Sequence, residues 1–223
     1  MKRLIRANAE YTTRIYHGDR GRNPKLINQK ELGFHFGSLE EAQLHGKFIF
    51  YIDFTEPATS TITVKDPNNW ASYEGLIAIY KQLDPTMSLN EIRNIWTSWN
   101  VDTNSREASQ LIRQILNDNG ITCIKYIDTE DIPGEQCYIL LYQPKLIRCS
   151  FKESFPELYD AITKVENDYN IDLQLSQRFE GDYYIMCKNP NIDYEGPVWC
   201  SAVNMLGRLS NKQEAYDKLI KLL

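Results

Sequence analysis

At 223 residues, with 42% hydrophobic and 25% charged side chains, the chain has an ordinary globular composition, and disordered, collagen-like and disulfide-scaffold classes are excluded. Lys and Arg number 25 against 30 Asp and Glu, a net charge of −5. That balance excludes a general nucleic-acid-coating protein, whose affinity comes from neutralising phosphates with basic side chains.

The charge is unevenly spread: residues 1–30 sum to +6 and residues 150–223 to −4. A basic start on an acidic protein points to a local anion site or to a solvated basic arm. The 5 cysteines are odd in number and none is spaced as Cys-x-x-Cys, so neither a metal site nor a disulfide framework is expected. They read as reduced, mostly buried thiols of a cytoplasmic protein. The stretch MKRLIRANAEYTT lacks the apolar run of a signal peptide, and no segment approaches the roughly 20 apolar residues of a membrane span, so no membrane partner is expected.

In chain order, Arg14-Ile15-Tyr16 is the first predicted strand, followed by a turn-rich loop from Gly18 to Pro24. Gly33 to Gly37 reads as a short aromatic strand. Ser38 then reads as an N-cap, with Glu41 as its capping-box partner. Lys47–Phe54 is apolar on both faces and so predicts a central strand. Apolar spacings of three and four predict helices over Tyr73–Leu83, Leu89–Trp99 and Arg106–Asn117, with Asn119-Gly120 closing the third. Strands are expected at Ile121–Tyr126 and Cys137–Tyr142, and an edge strand at Lys145–Arg148. Residues 151–223 read as an extension: a helix from Ser154 to Tyr169, a hairpin turning at Gly181-Asp182, and a last helix near Asn211–Leu222.

Three distant segments carry the chemistry: Tyr16-His17-Gly18, Gly33-Phe34-His35-Phe36-Gly37-Ser38, and Gly134-Glu135-Gln136-Cys137-Tyr138-Ile139. In that order, with Ala42, the Asp66-to-Trp70 stretch, Gly120-Ile121-Thr122-Cys123-Ile124-Lys125-Tyr126 and the strand ending at Pro144, they resemble the ADP-ribosyltransferase fold. The likeness is to its phage and mobile-element branch, found in polyvalent proteins and related toxins, and it covers roughly residues 10–150. It implies an α+β fold with a split β-sheet core and inserted helices, an NAD-binding domain over 1–150, and a small α/β extension over 151–223 for docking a substrate or partner.

What the resemblance implies is cleavage of the nicotinamide–ribose bond of NAD, without a metal, and transfer of ADP-ribose to a macromolecule. The acceptor is expected to be protein, with RNA or DNA open, and a neutralising antitoxin is a possible partner. The chemistry asks for such residues in its own right. An oxocarbenium-like ribose needs its hydroxyls held, its leaving group gripped and a negative group nearby. The resemblance assigns His17 and Gly18 to the ribose and the nicotinamide amide. Phe36 and Tyr126 are candidates for stacking, Ser38 for a hydrogen bond near the ribose, and Tyr16 and Gly37 for further NAD contacts. Arg14, Arg20 or Arg22 are candidates for the pyrophosphate. His35 either flanks the nicotinamide or the adenine-side ribose, or serves as a strand histidine bonded to backbone.

At the third position the chain departs from the pattern, for Cys137 stands where a glutamate is usual. Glu135 and Gln136 are the preferred substitutes, with Glu130 or Asp131 as alternatives. Two other readings stay open: an NAD glycohydrolase, in which water replaces the acceptor, and a non-catalytic binder that keeps the fold.

Overall fold

The computed structural model describes residues 12–20, 23–25, 32–46, 48–169, 172–177, 183–188, 200–201 and 217. They fall into two compact units, one within 1–17, 24–38 and 51–146, the other within 18–23, 39–50 and 147–223. The class is mixed α and β, as expected.

The first strand, β1 (Thr13–Asp19), is longer than predicted. Strand alternation buries Ile15 and His17 and leaves Arg14 exposed. The aromatic strand between glycines is β2 (Phe34–Phe36). After helix α1 (Leu39–His45) comes β3 (Phe48–Phe54), apolar at nearly every position. It is indeed central, lying between β1 and β7 (Ile147–Arg148) in a three-stranded sheet. The sequence did not suggest β4 (Thr61–Thr63), whose three residues are too few for a period.

Helices α2 (Tyr73–Leu83) and α3 (Leu89–Trp99) match their predicted bounds, and α4 (Arg106–Asp118) adds one residue. Each begins at a serine that accepts a backbone N–H: Ser72 from Gly75, Ser88 from Glu91 and Ser105 from Ala108. Beyond α4, Gly120 takes a φ of 73°, a left-handed conformation that glycine adopts at little cost. Strands β5 (Cys123–Ile127) and β6 (Gln136–Leu140) follow.

A four-stranded sheet within the first unit has the order β2-β6-β5-β4, with β4 parallel to β5 and the other pairs antiparallel. One face carries Phe34, Phe36, Tyr138, Leu140 and Cys123, packed with Ile15, Ile52 and Phe54. The other carries Ile124, Tyr126, Cys137 and Ile139, covered by Leu76 and Ile79 of α2, Ile92 of α3, and Ile112 and Leu116 of α4. Full burial of such a side chain is worth about 1.5–3 kcal/mol, so these stripes hold the three helices on the sheet. The rings of Trp96 and Trp99, 5.7 Å apart, pack against the same cluster, as their spacing predicts.

In the other unit, the single helix expected over Ser154–Tyr169 is two: α5 (Phe151–Ser154) and α6 (Pro156–Tyr169). Ser150 and Glu153 form a capping box that starts α5 early. Pro156 forces Phe155 out of the helical region and opens α6, the first helical position being where proline fits. Helix α6 buries Leu158, Ala161, Ile162 and Val165, a three-and-four spacing. Strands β8 (Asp172–Gln177) and β9 (Tyr183–Lys188) pair antiparallel as the predicted hairpin, and β10 (Cys200–Ser201) adds to β9. The hairpin's turn at 181–182 and, apart from the helical residue 217, the helix expected over 211–222 lie outside the described residues. No helix of the described residues is long and apolar enough to cross a membrane.

Candidate functional site

His17 is 7% exposed, and its Nδ1 donates to the His35 carbonyl at 2.8 Å. A carbonyl only accepts, so Nδ1 carries the proton and, in the neutral ring, Nε2 keeps a lone pair. The imidazole meets Phe34 edge-on at 5.3 Å and lies 5.5 Å from Phe36. One residue back, Tyr16 exchanges two backbone hydrogen bonds with Gly37, at 2.9 and 3.0 Å. This bridge is where β1 touches β2, the outer strand of its own sheet.

Gly18 is glycine for a packing reason. A Cβ there would stand 1.9 Å from the Ala42 carbonyl oxygen of α1, and one at Gly46 would stand 2.1 Å from the Asp19 nitrogen. The small Ala42 and the two glycines therefore let the end of β1 lie against the backbone of α1.

The His35 ring leaves β2 on the face opposite Phe34 and Phe36. Its Nδ1 is 3.1 Å from the Tyr126 hydroxyl, and its ring stands edge-on to Tyr126 at 6.1 Å and to Trp70 at 6.5 Å. Trp70 and Tyr126 are themselves 5.1 Å apart. The three rings form one aromatic group on the helix-covered side of the sheet.

The third segment meets the second through Ser38. Glu135 accepts from the Ser38 N–H at 2.5 Å through one carboxylate oxygen and from the Ser38 hydroxyl at 2.9 Å through the other. A capping box would have given that N–H to Glu41, three residues on. Glu41 instead pairs with His45 at 2.9 Å, and a carboxylate 97 residues along the chain takes its place. Gln136 points elsewhere: its amide donates to the Tyr138 hydroxyl. Glu130 and Asp131 are exposed, and Cys137 is 1% exposed in the core beneath the helices.

Other expected residues stand apart from His17. Arg14 lies on the opposite face of β1, bonded to Asp53 at 3.1 Å and stacked 3.9 Å from the Tyr51 ring centroid. The bond to Asp53 holds the Arg14 pKa above its ordinary value. Arg20 is exposed just beyond β1, and Arg22 lies outside the described residues. Phe36 is 1% exposed, with its ring committed to the core, and offers no free face for stacking.

Two features were missed in the sequence. Asp128, 6% exposed, closes the β5–β6 loop on itself. Its carboxylate accepts the N–H of Ile132 at 2.5 Å and of Glu130 at 3.3 Å, and its own N–H donates to the Glu135 carbonyl at 2.8 Å. Its signal was an acidic residue opening a loop that ends in Pro-Gly, a pattern shared with ordinary surface turns. The second is a polar group around Glu56, which accepts from Lys125 at 2.9 Å and from the Tyr138 hydroxyl at 3.4 Å. The bond to Glu56 raises the Lys125 pKa, and burial raises that of Tyr138. The register that brings Lys125 opposite Tyr138 is a product of pairing and was invisible in either strand alone.

No protein-family model, curated protein or solved structure matches the chain.

Proposed function

We propose that the protein is an ADP-ribosyltransferase-fold enzyme that cleaves the nicotinamide–ribose bond of NAD and passes ADP-ribose to a macromolecule. One observation carries this reading: the middle segment, Phe34 to Ser38, touches both of the others. His17 is bonded to the His35 carbonyl, Tyr16 to Gly37, and Glu135 to Ser38. Among the described residues, the β1-β3-β7 and β2-β6-β5-β4 sheets meet at the Tyr16–Gly37 bridge, which supports the split-sheet core that the sequence resemblance implies.

The roles follow from the chemistry. His17, its ring fixed by the bond from Nδ1 to the His35 carbonyl, is the candidate contact to a ribose hydroxyl. The backbone of Gly18 is the candidate grip on the nicotinamide amide. His35, the half-buried member of the aromatic group with Tyr126 and Trp70, is the candidate stacking contact in place of the buried Phe36. Glu135, oriented by Ser38, supplies the negative charge opposite the developing oxocarbenium ion, the task for which Cys137 and Gln136 are unsuited. The carbon–nitrogen electron pair leaves with nicotinamide, and the acceptor's nucleophilic atom bonds to the ribose carbon and loses its proton.

The test is incubation of the full chain with NAD labelled in the adenylate half, together with cell lysate. Label transferred to macromolecules is the expected result, and its sensitivity to protease or nuclease identifies the acceptor class. Nicotinamide release without labelling would move the assignment to a glycohydrolase. Absence of both NAD binding and turnover would leave a non-catalytic binder.

A further inference from the structure

We infer that Asp128 is the positioning residue of this site, fixing the 128–135 loop so that the Glu135 carboxylate meets Ser38. The catalytic consequence rests on the transferase reading, whereas the structural tie does not. Eight residues are long for the connection of an antiparallel pair, for which 2–5 is usual, and a loose loop would give Glu135 no fixed position. Asp128 removes that freedom from within. Each of its carboxylate oxygens takes a different backbone N–H, from Glu130 and from Ile132. Its carbonyl takes the N–H of Gly134 at 2.9 Å, and its N–H reaches the Glu135 carbonyl. The Glu135 N–H in turn donates to the Ile132 carbonyl at 3.1 Å. Every turn of the loop therefore closes on residue 128 or on a residue that it holds.

The neighbouring Thr129 ties the loop to the stretch before α2. Its N–H donates to Asp66 at 3.3 Å. Its hydroxyl lies 3.1 Å from the same Asp66 oxygen and 2.8 Å from the Asn68 side-chain oxygen, serving one at a time. Asn68 holds a φ of 61°, a conformation that asparagine tolerates better than most residues. The end of the loop is thus anchored at Asp128 inside and at Thr129 outside, and Glu135 emerges from it toward Ser38.

An amide cannot replace the carboxylate. Asp128→Asn keeps the volume but leaves one acceptor oxygen for two donors and sets an NH2 against a backbone N–H. The test uses the full chain, with two readouts: amide exchange at Ser38, referenced to Ile124 in β5, and the kcat and KM of nicotinamide release from NAD. In D128N the Ser38 amide is expected to exchange roughly tenfold faster or more while Ile124 is little changed. The kcat is expected to fall roughly tenfold or more with KM within about threefold, since the charge is misplaced while substrate contacts remain.

Ser38 protection equal to wild type in a folded D128N would overturn the inference, and so would an unchanged kcat beside a freed Ser38 amide. If D128N fails to fold, Thr129→Val, which removes only the hydroxyl tie, is read in the same way, and wild-type values in it overturn the inference. A wild-type protein without NAD turnover overturns the transferase reading instead, and Ser38 exchange alone then decides the tie.

Discussion

Ser38 and Glu135, 97 residues apart in the chain, are joined by two hydrogen bonds that use the backbone N–H and hydroxyl of one and both carboxylate oxygens of the other. The pair selects among the carboxylates near the third segment, because Glu130 and Asp131 are exposed and Glu135 is held. The expected outcome is that Glu130→Gln and Asp131→Asn leave NAD turnover within about threefold of wild type, while Ser38→Ala lowers it by roughly tenfold or more. Steady-state nicotinamide release from the purified variants checks this.

The close approach of Gly18 to Ala42 gives a stability prediction. A Cβ at 1.9 Å from a backbone oxygen cannot be relieved by a rotamer change. Gly18→Ala is expected to cost about 3 kcal/mol or more in denaturant unfolding. A loss well under 1 kcal/mol would show that β1 and α1 are free to move apart.

Cys123 sits in the core, where burial pushes its thiol up to about 11. The neutral thiol is the folded form, so its contribution is fully present below the unfolded pKa near 8.5 and is lost as pH rises toward about 11. A shift of that size corresponds to about 2–3 kcal/mol across the window. Unfolding free energies at pH 8 and pH 10.5 should therefore differ less for Cys123→Ala than for wild type. In the native protein at pH 8, Cys123, Cys137 and Cys149, all buried, should resist an alkylating reagent that labels them in denaturant, as read by mass spectrometry.

The aromatic group around His35 gives a fourth test. Tyr126→Phe keeps the ring but removes the hydroxyl 3.1 Å from His35 Nδ1. Its cost is expected to be about 1 kcal/mol of stability. The larger effect is expected on the apparent affinity for NAD, because His35 loses the group that sets its ring. Calorimetric titration of the catalytically impaired Ser38→Ala protein, with and without Tyr126→Phe, separates affinity from turnover.

Much of the fold was legible in the sequence because its signals are local. The bounds of α2 and α3 follow from apolar spacing, and the nearly continuous apolar run of β3 marks a strand with neighbours on both sides. Strand β4 was not legible, since three residues carry no period and its pairing with β5 is a tertiary fact. The break between α5 and α6 was available in Pro156 but was outweighed by the helical pattern on either side.

Of the candidate site, the residues that share a segment were readable and their directions were not. Strand parity separates Arg14 from His17 and Phe36 from His35, and a list of residues in sequence order hides this. The partnership of Glu135 with Ser38, and the service of Asp128 to the loop between them, depend on contacts spanning 97 residues and a backbone path that no motif records.

The most direct test of the central claim is nicotinamide release from NAD by folded wild-type protein, set beside His17→Ala and Glu135→Gln with circular dichroism as the folding control. Release by the wild type and a fall of roughly 100-fold or more in each variant, with the fold retained, are the expected results. Equal release from all three proteins, or none from a folded wild type, would contradict that claim.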